Sequence, residues 1–296
     1  MKKSVVLALS LLASIFSFCQ TQVLIEDTLR SMSKGRFNGF ITVVPKAVLK
    51  DIEKDWAKYL AEGGKAKPVA VNGEINMVGA LVKNISPKPL NIYSKLLETL
   101  DGVKLSAWFT ENDSVFISKD SIGEQRLAVQ KYLRDFVIRE LKQTATAELN
   151  NEKDKQFSLE KELSSLIKLE EKSNKKINEN QRAIEQAKEE TTSINSDVQR
   201  KDDQIYAQKE MVQSTATDAN ANKGAKQTLK NLGKDKKKLR KQIELLSKNI
   251  DRLNTQIRDE QRNIANVKQQ QELKISDLEK QKQIIRNGEG KLNSIQ

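Results

Sequence analysis

A chain of 296 residues with 52 Lys and Arg against 40 Asp and Glu has room for two domains and a formal charge of +12, yet only 5% of it is aromatic. It has no histidine and a single cysteine, Cys19. Once residues 1–19 are removed, as argued next, that composition excludes disulfides, thiolate or imidazole catalysis and zinc sites built on nitrogen and sulfur.

Lys2 and Lys3 precede an apolar run from Val5 to Phe18, and Ser17 and Cys19 place small residues three and one before a cut ahead of Gln20. This reads as a secretory signal peptide over 1–19, too short to span a bilayer comfortably. A second reading makes Cys19 the acylated residue of a lipoprotein, but bulky Phe18 stands where such processing sites carry a small residue. No later stretch has membrane length, so the expected mature chain, with charge +10, is periplasmic or secreted.

Residues 20–141 are expected to form a small α+β head. Val23, Ile25 and Leu29 alternate with polar residues, and Phe40–Val44 is a β-branched strand stopped by Pro45. From Ala47 to Glu62 the period changes: Val48, Leu49, Ile52, Trp56, Tyr59 and Leu60 fall on one helical face, ended by Gly63 and Gly64. On such a stripe Trp56 and Tyr59 are read as core rather than as a binding surface. Strands are predicted at 68–71, 74–82, 90–100, 103–110 and 114–118, with Asn72-Gly73 and Asp101-Gly102 as two-residue turns. Ser121 to Glu124 has capping-box spacing and opens a helix whose Ile122, Val129, Leu133, Phe136 and Val137 face inward. This order implies an antiparallel sheet covered on one face by two helices.

No strong breaker interrupts that helix, although a bend is allowed near Asn150-Asn151, and residues 142–296 are expected to form a coiled-coil hairpin. In the second arm, about 225–286, every seventh residue from Leu229 includes Ile243, Ile250, Ile257 and Ile264, and the position three further on includes Leu239, Leu246, Leu253 and Val267. That is a heptad seam with β-branched residues at a and leucine at d. The first arm, about 142–213, carries Leu163, Ile177, Ile184, Val198 and Ile205 at a, and a weaker d line with Leu166 and Ile194. The segment 214–224 is small and polar and reads as the turn; folding about Ala219 sets Leu159 against Glu279. Lys236, Glu170, Asn180, Lys201 and Lys274 are polar exceptions on the seam, which either fix register or mark places where the coil bends. A parallel two-stranded dimer also suits Ile at a with Leu at d, so self-association stays open. Asn287–Gly290 is expected to stop the second arm, leaving Leu292 and Ile295 to dock at the base of the head.

Few motifs carry chemistry. Gly290-Lys291 and Gly64-Lys65 lack both the glycine five positions earlier and the following Ser or Thr of a phosphate-binding loop. No catalytic, cofactor-binding or metal-binding residue is assigned. Asp27-Thr28-Leu29, Asp113-Ser114-Val115 and Asp120-Ser121-Ile122 fit a loose O-glycosylation pattern, though Ser121 is better explained as a helix cap. One charge run stands out: Lys226, Lys230, Lys234, Lys236, Lys237, Lys238, Arg240 and Lys241 against Asp235 alone. It is either a solvated helix surface or a site for acidic polymers such as lipopolysaccharide, glycans or extracellular nucleic acid. With no aromatic interleaved among these residues, specific nucleic-acid recognition is not expected.

A signal ending in Phe18-Cys19-Gln20, the stretch Met32-Ser33-Lys34-Gly35, a helix with Glu53-Lys54-Asp55-Trp56 and a long C-terminal coiled coil together resemble uncharacterised exported proteins of the Bacteroidota. The resemblance implies architecture and compartment, not an activity. The resulting expectation is a non-enzymatic envelope spacer, scaffold or adaptor that presents a small head to protein partners. Two alternatives are polymer binding by the basic cluster and carriage of a small ligand between sheet and helix in the head.

Overall fold

The structure, a computed structural model, describes residues 23–62, 66–113, 115–118, 121 and 123–296. The expected signal peptide with Cys19, the Gly63-Gly64 helix stop, Gly64-Lys65, Ser114, Asp120 and Ile122 lie outside the described residues. Contacts divide the chain into two compact units. One runs through Asp154 and includes Lys282–Gln296; the other is Lys155–Gln281.

In the first unit β1 (Glu26–Met32), β2 (Gly35–Pro45), β3 (Val69–Val71), β4 (Glu74–Ala80), β5 (Leu90–Thr99) and β6 (Gly102–Thr110) form one antiparallel sheet in the order β1-β2-β6-β5-β4-β3. Its face toward the helices is closed by α1 (Leu49–Ala61) and by the beginning of α2 (Gly123–Ser214). The helical period explains why: Ile52, Trp56 and Leu60 recur on one face of α1, Val129, Leu133, Phe136 and Val137 on one face of α2, and all are buried. Trp56 is wholly buried, meets Phe136 at 4.8 Å between ring centroids, and donates its indole N–H to Ser94 Oγ at 2.8 Å. Trp56 is therefore a core residue with its one polar atom satisfied.

Local chemistry sets the turns. Asn72 and Gly73 both take positive φ (54° and 76°), the backbone of a tight two-residue hairpin between β3 and β4. Between β5 and β6 the pair Thr99 and Gly102 flanks the loop, so the turn is Leu100-Asp101, one residue earlier than the Asp101-Gly102 expected from the sequence. Gly102 is needed for another reason: its φ is 137°, and a Cβ there would run into the Val44 carbonyl on β2. The predicted strand over 114–118 shrinks to one bridge, Phe116 with Thr110. Asp113 sits at φ 60°, and Thr110 Oγ1 donates to the Val115 carbonyl, so the return is shaped as a side-chain-closed turn rather than a ladder.

Both long helices pass through both units, with α3 spanning Ala219–Ser294. α2 is unbroken through Asn150-Asn151. α3 also continues through Asn287–Gly290, where the sequence suggested a stop. Packing accounts for the glycine: a Cβ on Gly288 would lie 3.3 Å from Leu149 Cδ1, tighter than ordinary contact, so glycine leaves room for the Leu149 side chain. Ion pairs Lys153–Glu289 (3.1 Å) and Lys291–Glu148 (3.2 Å) flank that contact, and Ile295 is buried while Leu292 is half-buried. The turn between α2 and α3 is also shorter than 214–224. It comprises residues 215–218, because Asp218 Oδ1 accepts from the N–H groups of Asn220 and Ala221 at 3.0 and 3.1 Å and so starts α3 as its N-cap.

Candidate functional site

The second unit, Lys155–Gln281, is built on the a and d positions of its heptads. Ile177, Ile184, Leu253 and Ile257 form a closed apolar cluster, with Ala183, Ile250 and Ile264 packed against it. Ile194 and Val267 are buried as well; Leu163, Leu166, Val198, Ile205, Leu239, Ile243 and Leu246 are half-buried, as two-helix seams leave them. Each seam residue is non-exposed while its b, c and f neighbours face solvent, with few exceptions.

Four polar seam positions, Glu170, Lys236, Glu260 and Lys274, are matched by a charged residue on the other arm, while Asn180 and Lys201 lie half-buried in the seam. Lys176 pairs with Glu260 at 2.6 Å, Lys274 with Glu162 at 2.5 Å, Lys268 with Glu170 at 3.5 Å, and Lys236 with Asp202. Every one of these pairs is centred on residue 218 or 219. Gln271 adds a hydrogen bond to Glu170 at 3.0 Å. The bond from Lys176 holds the Glu260 carboxyl below its ordinary range, and the bond to Glu162 raises the Lys274 ammonium. A register slip of one residue would break all four pairs and turn the apolar stripe away from its partner.

The basic run lies on α3. Lys226, Lys230, Lys234, Lys237, Lys238, Arg240 and Lys241 are exposed, whereas Lys236, at an a position, is only 20% exposed and is held by Asp202. The structure therefore separates one seam residue from seven solvent-facing cations.

The first unit carries a polar network on the sheet face away from the helices. The Met32–Gly35 tip of the β1–β2 hairpin crosses this face: Met32 joins Tyr93, Trp108 and Phe116 in a second small core with Phe37 against it. Ser33 donates its N–H and hydroxyl to the buried Glu74 carboxylate at 2.8 and 2.6 Å. Lys34 Nζ contacts Tyr93 Oη at 2.5 Å and Asp113 at 2.7 Å, while Tyr93 and Asn91 donate to Asp113 at 2.8 and 3.1 Å. The bond from Lys34 lowers the Asp113 carboxyl, the bond to Asp113 raises the Lys34 ammonium, and burial raises the Tyr93 phenol. The network fastens the hairpin tip to β4, to β5 and to the Asp113 turn. Sequence reasoning missed it. Its members come from four separate stretches, and the only local signal was the Met32-Ser33-Lys34-Gly35 motif.

Grooves open where the helices meet the sheet: one of about 300 Å³ is lined by Ile41, Thr42, Lys104, Val137 and Leu141, and one of about 500 Å³ by Lys50, Lys54, Ala57, Ala70, Ile75 and Leu96. A groove of about 820 Å³ runs past Tyr59, Tyr132, Leu81 and Val82 with Glu62, Lys83, Lys131 and Asp135 at its edges. Burial pushes the Tyr59 phenol up to about 12 and raises Tyr132 as well. Of the glycosylation tripeptides, Asp27 is almost fully buried, with Arg126 Nε at 3.6 Å. Among the described residues no helix is long and apolar enough to cross a membrane.

No family model matches the chain, and no curated protein does. Among solved structures it is similar to a coiled-coil segment of Smc from Pyrococcus yayanosii, at 17% identity over 57% of this chain and 81% of that one, with a TM-score of 0.26. Likeness at that level carries no argument about function.

Proposed function

We propose that the protein is a non-enzymatic, exported envelope protein that works as a spacer or scaffold, with its α+β head as the part engaged by protein partners. The observation that carries this reading is the uninterrupted hairpin seam of Lys155–Gln281, with polar layers matched pair by pair. At 1.5 Å per residue, an arm of 60 residues extends on the order of 90 Å. A helix pair that invests its sequence in register over such a length is suited to holding things apart at a fixed distance. The head network supports the same reading, since its charged groups are committed to one another.

The test is genetic. A strain lacking the gene is complemented with chains shortened by matched heptads, residues 184–190 together with 247–253, which removes about 10 Å while preserving the seam. A spacer predicts that complementation falls with length, while Tyr93→Phe in the head leaves it unchanged. Full complementation by the shortened chain together with loss from Tyr93→Phe would point to chemistry in the head and overturn the proposal. Fractionation of the same strains reports the compartment; a protein retained in the cytoplasm would remove the export part.

A further inference from the structure

The charge of the second unit is concentrated in one place. Lys155–Gln281 carries a net +6; residues 226–241 contribute eight basic and one acidic side chain, and all the rest of the unit has 19 basic against 20 acidic. A surface shaped only for solubility intersperses the two signs, as the remainder of this unit does.

The run is also one-sided. At 100° per residue, the seven exposed cations fall within a sector of about 160° around α3, at heptad positions b, c, e and f. The g positions at this level are Thr228, Asp235 and Gln242, so the opposite flank has no cation. Lys226, Lys230, Lys234, Lys237 and Lys241 follow one another at three- or four-residue steps, a straight row with a charge about every 5 to 6 Å over roughly 22 Å. The matching level of α2, residues 196–211, brings four acids against three basic residues; Asp202 is taken up by Lys236 on the seam and Asp197 by Arg200 of its own helix, so the level keeps its positive excess.

We propose that this flank of α3 is a binding ridge for a linear acidic polysaccharide, a polymer bearing a carboxylate or sulfate at regular intervals. Three features favour that polymer over nucleic acid. The cations on the ridge are lysines with one exception, Arg240, and lysine acts as a point charge without the planar fork that grips phosphate or a base edge. The α3 helix is paired with α2 along its length, and two helices 8–10 Å apart are too wide for a major groove of about 12 Å. No aromatic on α3 stands among the cations, and α2 brings a single one to this level, exposed Tyr206, so there is no run of rings on which successive bases could stack. The inference does not depend on the spacer reading, because a ridge can bind a polymer whatever the hairpin separates.

The experiment measures the full chain with heparin as the acidic polysaccharide and with a 30-base-pair DNA duplex, by titration calorimetry between 50 and 300 mM salt. The expected result is heparin binding that weakens about tenfold or more across that range, as counterion release requires. Lys230→Glu/Lys234→Glu/Lys237→Glu should weaken it at least thirtyfold, while Lys248→Glu/Arg252→Glu/Arg258→Glu, in the charge-balanced part of the same helix, changes it less than threefold. The conservative triple Lys→Gln variant at the same three ridge positions keeps helix propensity and should lose at least tenfold, guarding against a folding artefact. No heparin binding at 50 mM salt, equal loss in the two charge-reversal variants, or tighter binding to the duplex than to heparin would each overturn the proposal; the last would make nucleic acid the ligand.

Discussion

The two units are stabilised in different ways. In the first, residues far apart in sequence converge: Trp56 from α1, Phe109 from β6 and Phe136 from α2 share one core, and every one of them is fully buried. In the second, the apolar cluster of Ile177, Ile184, Leu253 and Ile257 joins a few turns of one helix to the matching turns of the other, and most seam side chains stay partly exposed. A three-dimensional core fails as a whole when one piece is removed. A one-dimensional seam fails where it is cut, because each layer is supported only by those above and below.

That contrast can be broken experimentally, and the largest effect belongs to the head. Trp56→Ala leaves a cavity under three elements and removes the donor to Ser94 Oγ, whose hydroxyl still donates to the Ile75 carbonyl, and is expected to cost about 3 to 5 kcal/mol. Hydrogen exchange should then accelerate across β1–β6 together while residues 170–270 keep their protection. Leu253→Ala should cost less, about 2 kcal/mol, because the site is a two-helix seam with water at its edge. Its exchange change should be confined to about two turns on either side of residues 184 and 253; acceleration along the entire hairpin would show the seam to be globally cooperative.

A third perturbation concerns Glu140, which is 4% exposed and has an Oε1 atom without a hydrogen-bond partner. Burial, with the nearby Asp55 charge, pushes its carboxyl up to about 6 from an ordinary 4.5, against which Arg139 pulls down. The folded head thus holds a proton that the unfolded chain has already released between those values, so this group's contribution to stability falls as pH rises from about 4.5 through 6 and stays lower above it. Glu140→Gln should raise head stability by on the order of 1 kcal/mol at pH 7 and by nothing measurable at pH 4. Denaturant titrations at both pH values check the sign. The smallest effect is expected from Lys176→Met at an inter-arm ion pair with a half-exposed lysine: a few tenths of a kcal/mol in low salt, vanishing at 1 M.

The same contrast explains what the sequence could disclose. The seam of unit 2 was legible because its information is periodic: Ile243 through Ile264 name their own neighbours, and folding about Ala219 already paired the arms. α1 and the sheet's strands were legible for the same reason, from periods of 3.6 and 2 and from Asn72-Gly73. What escaped were features held by single long-range contacts. Asp218 was lost inside a polar segment although an Asp before a helix is a recognisable cap, Gly288 looked like part of a stop although it sits against Leu149, and the contacts of Ser33 with Glu74 and of Lys34 with Tyr93 and Asp113 join positions 41 to 79 residues apart.

The hairpin requires the two arms of unit 2 to zip together within one chain. Spin labels placed at Glu179 and Arg258, in a chain whose Cys19 is replaced by Ser, should give one narrow distance on the order of 20 Å, an interhelix spacing plus two label arms. That distance should persist when labelled protein is diluted tenfold into unlabelled protein. A broad distribution beyond 40 Å, or a signal that disappears on dilution, would show that the stripe finds its partner elsewhere and contradict the hairpin.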